Sequence, residues 1–354
     1  MRATFPYLGY DTPAIRAFFD CIGAEVVEPL PVSKRTVELG VRYSPELICM
    51  PFKVTLGSFI EALEAGADTF FMAAGARRCR FGYYHYLQDR ILKELDGRCR
   101  MVPVGQYSPY DFFFRVMPRV FEVSPWRVMR ALRLMLVKSV LTREFRQGLN
   151  RLRAVDFGRA EELRQPTYEM VVKAGTPAEI AAARRELRRT FATNGDRPEV
   201  AVGLVGEIYY TLEQGANQDL ELELGRLGAE VLFERSLYHH LRYLLGVDLS
   251  SYRSRRLAGR YLRECPGGEA LRTVGEAMFY RRRNVDGIVH VFPFTCMPEN
   301  IALEALQKFS EETGMPVLSL SFDEHASPTG LVTRLEAFVD LIKRRKRGRR
   351  LHRG

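Results

Sequence analysis

Residues 287–302 read GIVHVFPFTCMPENIA, and a shorter echo, ELICMPFKV, occupies residues 46–54. In each, an apolar run suited to a buried strand leads into Cys-Met-Pro and then into a plausible helix start. A proline in the first helical turn costs nothing there, because the N–H it lacks would have no intrahelical partner. Both stretches therefore read as strand, turn, helix, with Cys49 and Cys296 at the joint. Around them the same alternation recurs. ATFPYL (3–8), AEVVEPL (24–30), ELICM (46–50), TFFMAAG (69–75) and RMVPVG (100–105) are strand candidates, while residues 12–22, 55–66 and 83–95 carry apolar side chains at helical spacing. From residue 198 it resumes: VAVGLVG (200–206), AEVLFE (229–234), GIVHVFPF (287–294) and PVLSLSF (316–322) are strands, and residues 217–228 and 298–314 are helices closed by Gly228 and Gly314.

Alternating strands and helices predict a mostly parallel sheet covered by helices, with ligands gathering beyond the carboxyl ends of the strands. Residues 126–152 and 177–192 show only long helical patterns, whose Arg and Lys interleave with apolar residues as on solvated faces. The expected fold class is α/β: two Rossmann-like parallel-sheet domains flanking a helical middle segment. The expected divisions are an N-terminal α/β domain with Cys49 and Cys79 (1–107), a helical linker or insertion (108–195), a C-terminal α/β domain with Cys296 (196–342) and a basic tail (343–354).

Composition narrows the function classes. The 354 residues are 46% hydrophobic and 27% charged, as in ordinary globular chains. No run of about 18 uncharged apolar residues exists, so no membrane span is expected. The start, MRATFPYLGYDTP, lacks the apolar core of a signal peptide and reads as a strand, so cytoplasmic residence is expected. The net charge of +10 resembles a nucleic-acid signal until it is located. Eight Lys or Arg lie between Lys343 and Arg353, and subtracting them from +10 leaves +2 for the rest. A terminal basic run reads as a solvated, frayed extension, and nucleic acid is not the expected partner.

Six cysteines occur, none in a C-x-x-C pair, which argues against a zinc ribbon or a ferredoxin-type motif. Disulfides are not expected in a large cytosolic chain. Cys21, Cys99 and Cys265 read as buried or incidental thiols. Cys49 and Cys296 differ, because helix N-termini offer free N–H groups and a positive dipole end that stabilise a thiolate. A third thiol shares the setting: residues 67–88, ADTFFMAAGARRCRFGYYHYLQ, read as strand, Gly-containing loop, Cys79, helix. If the two sheets face each other, Cys49, Cys79 and Cys296 converge in the cleft, with Arg77, Arg78 and Arg80 available to offset thiolate charge. Zinc and a [4Fe–4S] cluster both suit three soft thiolates, and the residues alone leave that choice open.

Other residues join the candidate site. Lys53 stands one helical turn after Cys49, Glu207 and Asn217 follow a strand, and Asp323, Glu324 and His325 follow the last strand. His290, inside an apolar strand, reads as a hydrogen-bonded core histidine. GLVGEIYY (203–210) is not G-x-G-x-x-G, and neither a P-loop nor a G-x-S-x-G elbow occurs, so ATP chemistry would come from another protein.

Five stretches carry a resemblance: residues 43–68, RRCRFGYYHYLQ (77–88), residues 202–231, DGIVHVFPFTCMPENIALEAL (286–306) and SFDEHASPTGLVTRLEAFVDLI (321–342). Together they resemble the 2-hydroxyacyl-CoA dehydratase superfamily, most closely its stand-alone branch labelled CoA-substrate-specific enzyme activase or DUF2229-like. The resemblance implies an iron–sulfur cluster, a [4Fe–4S] or a sulfide-bridged double cubane, held by residues matching Cys49, Cys79 and Cys296. It implies an ATP-hydrolysing activase, with its own [4Fe–4S] cluster, as the donor of low-potential electrons for reduction of a small substrate. It also implies a homodimer or a paired homologous subunit. Lys53, Glu207, Asp323, Glu324 and His325 would form the inner shell. A 2-hydroxyacyl-CoA dehydratase component and a non-enzymatic activase-binding scaffold are the alternatives. Two departures stand out: PGGEA (266–270) where relatives read Gly-Gly-His-Gly, and HASPTG (325–330) where they read His-Thr-Gly-Glu-Ala-Gly.

Overall fold

A computed structural model describes residues 1–75, 79–106, 108–193, 195–324 and 327–351. Its strands form two four-stranded sheets. The first contains β1 (Arg2–Thr4), β2 (Glu25–Val26), β3 (Thr69–Ala73) and β4 (Arg100–Val104) in the order β2-β1-β3-β4. The second contains β5 (Val200–Gly206), β6 (Ala229–Phe233), β7 (Gly287–Pro293) and β8 (Val317–Phe322) in the order β6-β5-β7-β8. All pairings are parallel, so the α/β expectation holds. Each sheet places its second strand beside its first and its third on the other side. The chain thus builds the same topology twice. Every residue of β7 is buried, which is why a central strand covered on both faces reads as an unbroken apolar run.

In the first half, α1 (Thr12–Ile22) ends where Gly23 takes the left-handed conformation, and α2 (Lys34–Tyr43) starts at a Ser33–Thr36 capping box. It crosses α3 (Met50–Glu64), which is buried over nearly its whole length. The crossing is close because both helices carry glycine at the contact. A Cβ on Gly40 would overlap the Lys53 carbonyl, and one on Gly57 the Thr36 carbonyl. ELICM is not a strand: residues 44–49 form a turn in which Leu47 has φ 56° and is largely exposed. Cys49 and Met50 are buried all the same, entering the core from the start of a helix instead of from a sheet. After α4 (Tyr84–Leu95), the short helices α5 (Pro109–Asp111) and α6 (Met117–Phe121) flank a π-turn at Phe112–Val116.

The middle of the chain is helical, as expected: α7 (Pro125–Val155), α8 (Phe157–Lys173) and α9 (Pro177–Thr190). Its basic residues are not all on solvated faces. Lys138, Arg146 and Arg153 are buried, because α7 packs against α1 on one side and β6 on the other. Arg146 pairs with buried Glu221 at 2.7 Å, donates to the Thr211 carbonyl and lies over the Phe233 ring. Buried Asp11 fastens both halves to this spine: one carboxylate oxygen accepts from the Thr142 hydroxyl at 2.5 Å, the other from the Leu237 N–H at 2.9 Å.

In the second half, α10 (Ile208–Leu212) and α11 (Leu220–Arg226) join β5 to β6, and α12 (Leu237–Leu244), α13 (Leu249–Ala258) and α14 (Ala270–Arg282) join β6 to β7. Then α15 (Met297–Thr313) leads to β8, with Gly314 left-handed at its end, and α16 (Pro328–Leu351) closes the described chain. Residues 343–351 continue that last helix, where a frayed extension was expected; Lys346 Nζ lies 2.9 Å from the Asp286 carboxylate. No helix among the described residues is long and apolar enough to cross a membrane.

Two stability predictions follow from this packing. Gly57→Ala forces α2 and α3 apart and should cost about 3 kcal/mol in urea unfolding; a change below about 0.5 kcal/mol would remove the crossing as a constraint. Buried Glu213 caps the Gly215 and Ala216 N–H groups, yet desolvation pushes its carboxyl up to about 7. An acid with a raised folded pKa keeps its proton longer in the folded state, so its contribution is lost as pH rises from about 4.5 to about 7. Glu213→Gln should therefore raise the melting temperature at pH 8 more than at pH 5, and an equal shift at both pH values contradicts this.

Candidate functional site

The three thiols each stand at the N-cap of a helix: Cys49 before α3, Cys296 before α15, and Cys79 before the 3-10 turn Arg80–Tyr83 that opens α4. None makes a side-chain cap hydrogen bond. Backbone bonds shape each joint: Phe52 N–H donates to the Cys49 carbonyl, Gly82 N–H to the Cys79 carbonyl, and Asn300 N–H and Nδ2 to the Cys296 carbonyl. The joints meet although they are far apart in sequence. The Cys49 Sγ lies 3.8 Å from the Thr295 carbonyl oxygen, adjoining Cys296. Arg80, next to Cys79, donates to the Leu47 carbonyl at 3.1 Å and the Thr295 carbonyl at 2.8 Å. One guanidinium thus ties all three joints together. Arg77 and Arg78 lie outside the described residues.

A fourth wall comes from the loop before α14. Gly268 has φ 51°, and a Cβ there would stand 3.0 Å from Pro298 and 3.6 Å from the Cys79 Sγ. Beside it opens a cavity of about 470 Å³, whose lining includes Tyr243, Ser251, Arg255, Glu269 and Arg272. Cys265 also lines this cavity and is exposed; Cys21 is half-buried and Cys99 buried.

The expected thiolates are not what the protein environment alone favours. Burial pushes the Cys79 thiol up to about 11, outweighing the Phe81 N–H that opposes it, and neighbouring Glu207, Cys49 and Glu269 add to the rise. Burial also raises Cys296, reinforced by Glu299 and Glu207. The helix N-termini are present, but desolvation dominates. Glu207 caps α10 through the Tyr210 N–H at 3.0 Å, and burial lifts its carboxyl to about 7, with nearby Glu299 adding to the effect. Lys53 is buried and its Nζ pairs with Glu324 at 3.0 Å, so two expected site residues neutralise each other across the halves. Asp323 precedes that pair; His325 lies outside the described residues. Asn217 is structural: it caps the Leu220 N–H and donates to the Tyr210 carbonyl.

Behind Cys296 runs a buried polar chain that sequence reasoning met only at His290. Ser319 Oγ lies 3.2 Å from His290 Nδ1, and Glu299 Oε2 3.0 Å from His290 Nε2. The Thr273 hydroxyl donates to Glu299 at 3.1 Å, and Arg235 reaches Thr273, Glu276 and the Gly206 carbonyl. His290 is thus the hydrogen-bonded core histidine expected. Arg235 and Glu276 gave no sequence signal, since isolated charges between apolar residues resemble surface positions.

Three free cysteines thus stand at helix N-termini drawn from both halves, with Cys79 close enough to Cys49 and Cys296 for their charges to interact. As they stand, no group of three or more His, Cys, Asp or Glu among the described residues is disposed to hold a metal ion. Because Arg80 binds carbonyls at both partner joints, Arg80→Ala should accelerate amide exchange at residues 47–52 and 295–300 while lowering global stability by only about 1 kcal/mol. Unchanged exchange at both segments would deny Arg80 that role.

No curated protein matches the chain. Residues 214–342, from the loop after α10 through most of α16 and including Cys296, match the family model for the 2-hydroxyglutaryl-CoA dehydratase D-component. The match covers about a third of the chain, and over that stretch the protein is similar to the 2-hydroxyacyl-CoA dehydratase superfamily.

Proposed function

We propose that Cys49, Cys79 and Cys296 hold an iron–sulfur cluster, and that the chain accepts low-potential electrons from an ATP-hydrolysing activase to reduce a small substrate. The observation that carries this reading is the convergence of three N-cap thiols from two sheets, tied by Arg80 through the Leu47 and Thr295 carbonyls. When bound, such a cluster supplies one-electron chemistry at low potential, and metal ligation offsets the burial that otherwise keeps the thiols protonated. The chain's own groups supply the rest. The Lys53–Glu324 pair links the first half to the segment after the last strand of the second. Glu207, lifted to about 7 by burial, can take up or release a proton near the thiols around neutral pH. Asp323 and His325 belong to the same proposed inner shell. The cavity beside Gly268, the glycine that packs against Cys79, gives a small molecule room in this region. The cluster is a [4Fe–4S] or a sulfide-bridged double cubane, and a second copy or a homologous subunit completes the assembly.

A second reading, a 2-hydroxyacyl-CoA dehydratase component, draws on the D-component match over residues 214–342. Saturable binding of CoA thioesters favours it; their failure across a panel favours the reductase reading. A metal-free chain that still binds the activase tightly would instead be a scaffold.

Anaerobic reconstitution provides the test. Wild type should carry iron and acid-labile sulfide, and Cys296→Ala should lose most of both while keeping its far-ultraviolet circular dichroism. Equal iron in the two proteins would sink the assignment.

A further inference from the structure

A second cavity, of about 540 Å³, lies away from the thiols, where the helical spine meets the outer strand of the second sheet. Its volume falls in the range of sites that enclose small molecules. The floor is apolar and buried: Leu187 and Phe191 from the end of α9, Val231 and Phe233 from β6, and the ring of Tyr280 from α14. Arg143 and Arg151 on α7 reach it from one side, while Arg188 and Arg283 stand at its margin.

Two features distinguish this cavity from an ordinary crevice. Tyr280 is 1% exposed; the Glu234 N–H lies within reach of its oxygen, yet no acceptor for its hydroxyl proton is found among the described residues. The Arg143 Nε is likewise buried without a partner. A buried hydroxyl left unpaired costs about 1–3 kcal/mol, so its retention calls for an occupant. The charges agree. Arg188 pairs with Glu144 at 3.2 Å and Arg283 faces Glu234 at 4.0 Å, whereas Arg143 and Arg151 form no ion pair among the described residues. Glu230, which also lines the cavity, has its carboxyl raised by burial, an effect the Arg151 charge opposes.

We infer that this cavity binds a small organic anion, a carboxylate or phosphate on an apolar body, with Arg143 and Arg151 on the charge and the Tyr280 hydroxyl on a polar atom of the ligand. The site is separate from the thiol cleft and does not depend on any metal there.

Phenyl phosphate is the probe, followed by calorimetry on the full chain, with inorganic phosphate and phenol as the two half-molecules. Phenyl phosphate should bind saturably and at least about tenfold more tightly than either half. Arg151→Ala should weaken it about tenfold. Tyr280→Phe should weaken it several-fold while leaving the melting temperature of the free protein unchanged or higher, since it removes a buried hydroxyl whose proton has no acceptor among the described residues. Cys296→Ala should bind the probe as wild type does. Absence of saturable binding, or equal affinity in wild type, Arg151→Ala and Tyr280→Phe, overturns the proposal.

Discussion

Arg235 is the constraint around which the second half is arranged. Its guanidinium is 1% exposed and must be satisfied inside the protein, because an unpaired charge there would cost several kcal/mol. The partners it recruits come from separate elements: the Gly206 carbonyl at the end of β5, and Glu276 and Thr273 on α14. Thr273 passes the contact to Glu299 in the first turn of α15, and Glu299 to His290 on β7. A single buried cation thus sets the spacing of two strands and two helices just behind Cys296. Removing one member would strand the others, so the network fixes the orientation of the joint more strictly than apolar packing would.

The strands were legible because central parallel strands must be apolar on both faces, and TFFMA and GIVHVFP show that directly. Helix α1 was legible to the residue, since its apolar spacing is bounded by Pro13 and Gly23. Helix α14 was not. Its buried face includes Arg272, Thr273 and Glu276, which break the apolar period that sequence reading relies on. Helix α2 was hidden by Gly40, a residue that weakens a helix in isolation but lets α2 touch α3 here. The three thiols could be singled out from their local context. Arg80 could not, because its partners lie 33 and 215 residues away and only the folded chain brings their carbonyls together.

The repeated Cys-Met-Pro also changes meaning in three dimensions. Cys296 follows β7, the third strand of its sheet, so its topological counterpart is Cys79, which follows β3. Cys49 instead heads α3, the helix that runs into β3, and its counterpart is the start of α14, where Gly268 and Glu269 stand. The two similar tripeptides therefore occupy different places in a duplicated topology. Local sequence likeness misled here because proline after an N-cap suits many helix starts, whatever strand precedes them.

That correspondence explains the shape of the cleft. Each half sends the N-terminus of the helix before its third strand towards the other half's third-strand joint: Cys49 reaches Thr295 beside Cys296, and Gly268 reaches Cys79. The arrangement has four corners, and only three carry sulfur. At the fourth, Gly268 packs closely against Pro298 and Cys79, Glu269 takes the N-cap position that Cys49 holds in the other half, and the cavity of about 470 Å³ opens beside them. A duplicated fold with four matched thiols would present a closed, symmetric donor set, as structural metal sites do. Without a thiol at one corner the arrangement is asymmetric, and the cavity on that side is lined by Arg255 and Arg272. The departure from symmetry at Gly268, more than the likeness of the two Cys-Met-Pro joints, is what sets the two sides of this meeting point apart.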